Sequence, residues 1–351
     1  MNVLSLFDGM SCGQQALERA GIAYDKYYAS EIDKHAIKVT QANYPSTIQL
    51  GSVTGVDGYA LPQIDLLIGG SPCQSFSFAG KRKGMSTKDE QEVLTLEHYL
   101  QLKEEGYEFE GQSYLFWEYM RILKEVKPKY FLLENVMMGE KWEKVLSKAI
   151  GVNPIEINSA LVSAQNRRRL YWTNIGLEPA GLFGFLESSI KQPKDKNILL
   201  KDILETDVDE KYFLSEKFIN WLYRHSDKIG NKIKTTDGNR KSSCLNVSAL
   251  CAVNLTSDFI VHSTFGRTST NGNGGNGHLF KTDNKSYCLD VQNSQAVEYS
   301  NRIRKLTPVE CERLQTVNDN YTNHVSDTQR YRMLGNGWTI DVIAHIFSYI
   351  K

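Results

Sequence analysis

Along the first 178 residues, short apolar runs alternate with longer segments in which apolar residues recur every three or four positions. Short apolar runs bounded by turn residues predict buried strands, and the longer spacing predicts amphipathic helices. The predicted elements follow one another at 3–7, 14–20, 27–30, 34–43, 64–68, 115–124, 130–133, 142–149, 155–162 and 170–174. This alternation is typical of an α/β fold with a doubly wound, mostly parallel sheet.

The pattern changes after residue 178. From about 179 to 300 it consists of short strand-like pieces, polar loops and a glycine–asparagine run, which predict a second, smaller and irregular domain. Helical spacing returns after 301, with helices predicted over 306–314 and 339–350. We therefore divide the chain into three parts, 1–178, 179–300 and 301–351.

Composition narrows the class of protein. The 351 residues are 41% hydrophobic and 23% charged, which suits one large domain and a smaller one. No apolar run approaches the roughly 18 residues of a membrane span, and the N-terminus lacks the basic leader of a signal peptide. The six cysteines form no CxxC pair and have no histidines at zinc-ligand spacing. We therefore expect neither a disulfide framework nor a metal site, and a reducing cytoplasm as the location.

The net charge and the local charge distribution point in opposite directions on whether the partner is a nucleic acid. The formal net charge of zero argues mildly against one, because phosphate binding normally requires a basic excess. Between residues 228 and 282, however, there are seven basic residues and two acidic ones. Composition alone supports a solvated basic face and a phosphate-binding surface about equally.

A glycine-containing loop after the first predicted strand indicates a ligand site. The run Phe7-Asp8-Gly9-Met10-Ser11-Cys12-Gly13 opens a helix, where backbone N–H groups are available to an anionic or carboxylate-bearing ligand. Glu31, about 20 residues further on, is placed where an acidic side chain binds ribose hydroxyls in this architecture. Asp8 would repel a pyrophosphate, so a cofactor with positive charge, S-adenosylmethionine, fits better than NAD.

Three further motifs carry candidate chemistry. Cys73 follows the apolar run 64–68 in the turn Gly69-Gly70-Ser71-Pro72-Cys73, the position of a nucleophile at the carboxyl end of a strand. Glu134 ends the next apolar strand, where a carboxylate beside a cysteine suits nucleophile-plus-acid chemistry. In the run 167–169, three arginines precede another strand, and alternation puts the outer two on one face. A buried structural cysteine and a strand-end salt bridge are the alternatives.

Together these motifs resemble the DNA (cytosine-5) methyltransferases of bacterial and phage type, with some features of the animal de novo enzymes. The resemblance rests on five motifs in order: Phe7-Asp8-Gly9, Ser71-Pro72-Cys73-Gln74, Glu134-Asn135-Val136, Gln165-x-Arg167-x-Arg169 and Gly335-Asn336. It implies an S-adenosylmethionine-dependent, Rossmann-like catalytic domain over 1–178. It also implies a target-recognition domain over 179–300 and a C-terminal segment over 301–351 that returns to the catalytic domain.

The resemblance also implies roles for individual residues. Cys73 adds as thiolate to C6 of a flipped cytosine, Glu134 holds the N3 and N4 edge, and Arg167 stabilises the adduct. The implied cofactor-binding residues are Phe7, Asp8, Gly9, Glu31, Ile32, Ser52, Pro72, Asn336 and Trp338. Lys81 and Lys83, in the family's mobile loop after the cysteine, and Arg169 are expected DNA-binding residues, and the basic balance of the middle region adds Arg240 and Arg267 as candidates.

Two departures from the family pattern stand out. Ser52 follows Gly51 where the family usually has Gly-Asp, a difference that predicts weaker cofactor binding. The segment 85–112 is longer and more charged than the usual connection at this place.

The expected function is therefore a sequence-specific DNA cytosine-5 methyltransferase that acts as a monomer on double-stranded DNA, in the cytoplasm and away from membranes. A cognate restriction endonuclease acting separately is an expected partner. Two alternatives stay open from the sequence: a cytosine-5 methyltransferase acting on tRNA, and a catalytically silent DNA-binding relative.

Overall fold

Two compact units make up the computed structural model. The first contains residues Met1–Ile157, Arg168–Gln192 and Ile343–Lys351, and the second contains Asn158–Arg167 and Pro193–Val342. The structure describes residues 1–72, 85–89, 91–109, 111–180, 185–215, 217, 260–263, 295–299 and 302–351. The three-part division at 178 and 300 stays a prediction.

A mostly parallel sheet forms the centre of the first unit. Its strands are β1 (Asn2–Leu6), β2 (Lys26–Ser30), β3 (Ile48–Gln49), β4 (Leu66–Gly70), β5 (Tyr130–Val136), β6 (Ile155–Asn158) and β7 (Arg168–Thr173). Within the described residues these seven strands follow the order β3-β2-β1-β4-β5-β7-β6. Strands β1 to β5 pair in parallel, and β7 runs antiparallel to β5. The predicted α/β fold is confirmed.

Helices connect these strands, and the buried strands form the core between them. The helices are α1 (Cys12–Arg19), α2 (Lys34–Asn43), α3 (Leu96–Glu104), α4 (Leu115–Val126) and α5 (Glu140–Ile150). Leu4, Leu67 and Leu133, on three neighbouring strands, are fully buried, as expected of strands covered on both faces. The chain leaves β1 toward β2 and leaves the neighbouring strand β4 toward β5, in opposite directions, and α/β sheets bind ligands at such a reversal. A short hairpin, β8 (Leu177–Ala180) with β9 (Phe185–Ser188), completes the unit.

Within the first unit, helix α3 of the long segment 85–112 is linked to α4 through a buried carboxylate. Glu118 of α4 is fully buried and accepts hydrogen bonds from Tyr99 Oη at 2.6 Å and Lys103 Nζ at 2.5 Å, both on α3. Arg121 Nε also donates to it, at 2.8 Å. Burial alone would raise the pKa of Glu118, but these donors lower it below its usual value. Tyr99 and Lys103 therefore link α3 to Glu118 on α4.

The second unit contains antiparallel strands and helices fixed by buried ion pairs. Its elements are β10 (Ile260–Ser263), β11 (Gln295–Tyr299), β12 (Arg302–Lys305), α6 (Pro308–Leu314) and α7 (Asp327–Asn336). The predicted helix at 306–314 is confirmed. Thr307 caps α6 by accepting from the Glu310 N–H, and Arg304 Nη2 pairs with Glu310 Oε1 at 2.7 Å. Helix α8 (Ile340–Phe347) then leads from the second unit into the first.

Candidate active site

The carboxyl ends of β4 and β5 bring two of the sequence motifs together. The strands pair in parallel with Gly70 opposite Glu134, so the carboxylate lies beside the strand end that continues into Ser71 and Pro72. Glu134 is 9% exposed and Ser71 is 4% exposed. Cys73 itself lies outside the described residues, one position after Pro72. Glu134 thus flanks the segment that leads directly to the predicted nucleophile.

Asn135 fastens the turn before the cysteine. Its side-chain Nδ2 donates to the Ser71 carbonyl at 3.3 Å and to Ser71 Oγ at 3.1 Å, and the residue is 1% exposed. Hydrogen bonds in such a buried position fix backbone geometry, because no water competes for them. Sequence reasoning quoted Asn135 as part of a motif and gave it no role. A buried amide at the end of an apolar strand was the available signal.

Glu134 is paired with an arginine from the antiparallel neighbour β7. Arg169, which lies opposite Val136, places Nε 2.9 Å from Glu134 Oε1, and their side chains are 14% and 11% exposed. Arg168 is 58% exposed and donates through Nη2 to Glu156 Oε2 at 2.7 Å. Arg168 thus faces away from Glu134, as predicted, whereas the predicted shared face of Arg167 and Arg169 stays a prediction. The sequence left a strand-end salt bridge of Glu134 open as an alternative but did not identify Arg169 as the partner, because Arg169 was grouped with the DNA contacts.

Arg167 forms hydrogen bonds to backbone carbonyls of the second unit. Its guanidinium donates to the carbonyls of Gly335 at 3.3 Å and Gly337 at 2.9 Å, and the residue is 4% exposed. These carbonyls flank Asn336, so Arg167 braces the loop that contains this predicted cofactor residue. Trp338, in the same unit, is 8% exposed. The roles predicted for Arg167 in the adduct, and for Asn336 and Trp338 in the cofactor site, stay predictions.

The loop after β1 is held in a strained conformation by Glu31. Phe7 and Ser11 have φ values of 57° and 62°, which side-chain-bearing residues rarely adopt, and Gly9 has φ 60°. Glu31 Oε2 accepts from the Gly9 N–H at 2.8 Å. Its Oε1 accepts from the backbone N–H groups of the next two residues, at 2.7 and 2.8 Å. Oε1 thus accepts two donors and Oε2 accepts one, which leaves a lone pair on Oε2 for a further donor, as a ribose hydroxyl would provide.

Two further positions fit an adenosine group. Ile32, directly after Glu31, exposes 73% of its surface, so an apolar face lies next to the carboxylate. Ser52 is exposed and accepts from the Thr54 N–H, which caps the short 3₁₀ helix Val53–Gly55. Gly51, with φ 74°, precedes it and accepts from Ser30 Oγ at 2.8 Å. The loop, Glu31 and Ile32 thus suit the parts of a nucleoside-containing cofactor.

The side chain of Asp8 is buried. It is 8% exposed, and its Oδ1 accepts from Tyr27 Oη at 2.8 Å. Burial raises the pKa of Asp8 to about 6, although hydrogen bonds from Ser5, Tyr27 and Ser11 act in the opposite direction. Its predicted role at the methionine end of the cofactor stays a prediction.

Several predicted residues lie outside the described part of the chain. These are the nucleophile Cys73 and the DNA-contact candidates Lys81, Lys83, Arg240 and Arg267.

In the part that is described, no helix is long and apolar enough to cross a membrane.

A protein-family model agrees with the motifs and the fold. The model for C-5 cytosine-specific DNA methylases matches residues 1–150 and 157–351. The chain belongs to the C-5 cytosine-specific DNA methylase family. Members act on cytosine C5 in DNA, typically through a covalent adduct with the enzyme, and family and fold in general depend on S-adenosylmethionine.

Individual relatives of this methylase are phage and bacterial proteins. The chain is 27% identical to the orphan methyltransferase M.SPRI of Bacillus phage SPR, over 99% of this chain and 96% of the relative. It is 29% identical to the type II methyltransferase M1.ScrFI of Lactococcus lactis subsp. cremoris, over 90% and 69%. These comparisons favour the DNA enzyme over the tRNA enzyme and the silent relative.

Solved structures support the fold of this methylase. An Entamoeba histolytica methyltransferase, EhMeth, matches with a TM-score of 0.60 at 16% identity, over 99% of this chain and 97% of that one. A Spodoptera frugiperda DNMT2 mutant matches with a TM-score of 0.58 at 19% identity, over 99% and 98%.

Proposed function

We propose that this chain is a sequence-specific DNA (cytosine-5-)-methyltransferase that uses S-adenosylmethionine and Cys73. The observation that carries the proposal is the junction of β4 and β5. Glu134 lies opposite Gly70, and Asn135 holds Ser71, two residues before the cysteine. A carboxylate and a fixed turn at adjacent strand ends are what a nucleophile needs in order to attack a base in a defined orientation.

Cytosine C5 is a weak nucleophile, so the proposed reaction begins at C6. The Cys73 thiolate forms a bond to C6, and the C5=C6 π electrons move to C5. A free thiol with pKa near 8.5 is only a few per cent ionised at pH 7, so the site has to favour the thiolate. When bound, S-adenosylmethionine would supply the methyl group to C5, with its sulfur–methyl bond broken and S-adenosylhomocysteine as the leaving group. Loss of the C5 proton to a base restores the double bond and expels the cysteine.

Glu134 is proposed to bind the N3 and N4 edge of the cytosine and to support a proton on N3 during the addition. The contact with Arg169 fixes one oxygen of that carboxylate, which supports a defined orientation toward the base. Arg169 is therefore proposed as a positioning residue for Glu134. Arg167 keeps its proposed part in stabilising the adduct, and its contacts with Gly335 and Gly337 add support to the loop around Asn336.

Glu31 and Ile32 are the proposed contacts for the ribose and the adenine of the cofactor. The three backbone N–H groups on Glu31 support this role, because they hold the carboxylate in one orientation. Phe7, Asp8 and Gly9 are proposed at the methionine end. Ser52 and Pro72, with Asn336 and Trp338 from the C-terminal segment, complete the proposed set.

The substrate is proposed to be double-stranded DNA from which the target cytosine is extruded. Neither face of C6 is accessible in a stacked duplex, and extrusion costs on the order of a few kcal/mol. A cytoplasmic, monomeric enzyme with a separate cognate endonuclease is part of the proposal. The type II methyltransferases among its relatives support the endonuclease partner.

The test is methyl transfer from tritiated S-adenosylmethionine to mixed-sequence duplex DNA and, in parallel, to tRNA. Label in the DNA, at C5 of cytosine and absent with Cys73→Ser, is the expected result. Label in tRNA with none in DNA would replace the substrate in this proposal. Absence of label on both, from a protein that binds the cofactor, would contradict an enzymatic role.

A further inference from the structure

Asp8 is a buried carboxyl group that forms no ion pair with a basic side chain in the described part of the chain. Its Oδ1 accepts from Tyr27, whereas its Oδ2 has no hydrogen-bond partner among the described residues. The titratable groups that face it are Tyr27 on β2 and Glu31 directly after β2, together with the hydroxyls of Ser5 and Ser11. In the described part of the chain, no basic side chain forms an ion pair with Asp8.

The position of Asp8 is fixed by close packing. Tyr27 is 2% exposed, and a Cβ atom at Gly13 would lie only 2.5 Å from its hydroxyl oxygen and 2.4 Å from Ile68 Cδ1. The Asp8 backbone N–H donates to the Ser30 carbonyl at 3.2 Å. The ring and the carboxylate thus have little room to move apart. The carboxyl group of Asp8 is therefore held in one position within the loop, next to Gly9.

Burial disfavours the ionised form of Asp8, and the neighbouring Glu31 charge disfavours it further. A cation bound at the loop would have the opposite effect, because it stabilises the carboxylate. S-adenosylmethionine carries a sulfonium charge, and S-adenosylhomocysteine, the product, carries neutral sulfur at the same place. The two molecules therefore differ at this site by one methyl group and one unit of charge.

We propose that ionised Asp8 is a specificity-determining residue that makes the cofactor site favour S-adenosylmethionine over S-adenosylhomocysteine. This inference rests on the proposed function, since it takes the loop after β1 as the cofactor site. A buried charge acts over a longer distance than an exposed one, because solvent and salt screen it less. Loss of the sulfonium charge on methyl transfer then weakens binding of the product.

The same arrangement predicts that binding of S-adenosylmethionine is coupled to the loss of a proton from Asp8. Binding of the cation favours the ionised carboxyl group, so binding near pH 6, where Asp8 is partly protonated, releases protons. By reciprocity, ionisation of Asp8 strengthens binding of the cation. S-adenosylhomocysteine lacks the sulfonium charge and releases fewer protons.

The experiment compares the dissociation constants of the two molecules by calorimetry from pH 5 to pH 8, for the full-length wild type and Asp8→Asn. The amide keeps an acceptor for Tyr27 and removes the charge. We expect the wild-type ratio of the two constants to change by about tenfold across this range, because ionised Asp8 attracts the sulfonium charge that only one of the two molecules carries. In Asp8→Asn the ratio is expected to be independent of pH. In Tyr27→Phe the transition is expected to move to higher pH.

An equal ratio in wild type and Asp8→Asn at pH 8, where Asp8 is ionised, would overturn this inference when both proteins bind S-adenosylmethionine, and it would leave the proposed function intact. Failure of the wild type to bind S-adenosylmethionine at any pH would overturn both. If Asp8→Asn does not fold, proton release by the wild type at pH 6 decides, measured in buffers of different ionisation enthalpy. Greater release with S-adenosylmethionine supports the inference, and equal release contradicts it.

Discussion

Replacement of Arg169 by alanine tests whether the orientation of Glu134 matters for methylation. The change removes the Nε group that lies 2.9 Å from Glu134 Oε1. Because both side chains are less than 15% exposed, solvent screens their interaction only weakly. A hydrogen bond to a charged group contributes about 1.5–3 kcal/mol, which corresponds to a loss of about 10- to 150-fold in kcat/KM if it acts in the transition state.

Arg168→Ala is the matched control, one position away. Arg168 pairs with Glu156, and their side chains are 58% and 37% exposed, so the pair contributes about 0–1 kcal/mol. Methylation kinetics on duplex DNA, with the affinity for S-adenosylmethionine measured separately, separate the two variants. We expect Arg169→Ala to lose activity while its cofactor affinity stays unchanged. Activity of Arg169→Ala within twofold of wild type, or an equal loss in Arg168→Ala, would refute the reasoning.

Three further predictions follow from other contacts. Asn135→Ala loses two hydrogen bonds to Ser71, and we expect about 10- to 30-fold slower methylation with unchanged cofactor affinity; equal activity would show that the turn holds without them. Ser52→Asp supplies the carboxylate usual in the family, so we expect the Kd for S-adenosylmethionine to fall by about two- to tenfold in a binding titration, and an unchanged Kd would contradict the predicted contact. Burial raises the pKa of Asp8 from 3.8 to about 6, so its contribution to stability is complete below pH 3.8 and is lost as the pH rises through 6. The stability of Asp8→Asn relative to wild type is therefore expected to increase by up to about 3 kcal/mol from pH 4 to pH 7 in denaturant unfolding, whereas a difference that stays constant with pH would contradict the raised pKa.

The fold could be predicted from the sequence because each element of the first unit carries its own pattern. The helix predicted over 34–43 has those bounds in the structure, and the strand predicted over 130–133 extends to Val136. The nearness of Glu134 to the cysteine segment also followed, since parallel strands end at the same edge of a sheet.

What the sequence did not reveal depends on neighbours that are distant along the chain. The contact of Arg169 with Glu134 requires β7 to lie antiparallel to β5 in one register, and the spacing of the arginines does not specify that register. The inward turn of Asp8 depends on the Tyr27 hydroxyl beneath it, 19 positions further along the chain. The attachment of 85–112 likewise depends on Glu118, which lies beyond that segment on α4.

The most direct test of the central claim is covalent trapping on duplex DNA that carries 5-fluorocytosine. Fluorine at C5 cannot leave as a proton does, so the adduct with the enzyme persists after methyl transfer. The proposed mechanism predicts a denaturation-resistant complex of protein and DNA that requires S-adenosylmethionine and is absent with Cys73→Ser. A complex that forms equally well with Cys73→Ser, or methylation of normal DNA without any trapped complex, would contradict Cys73 as the nucleophile.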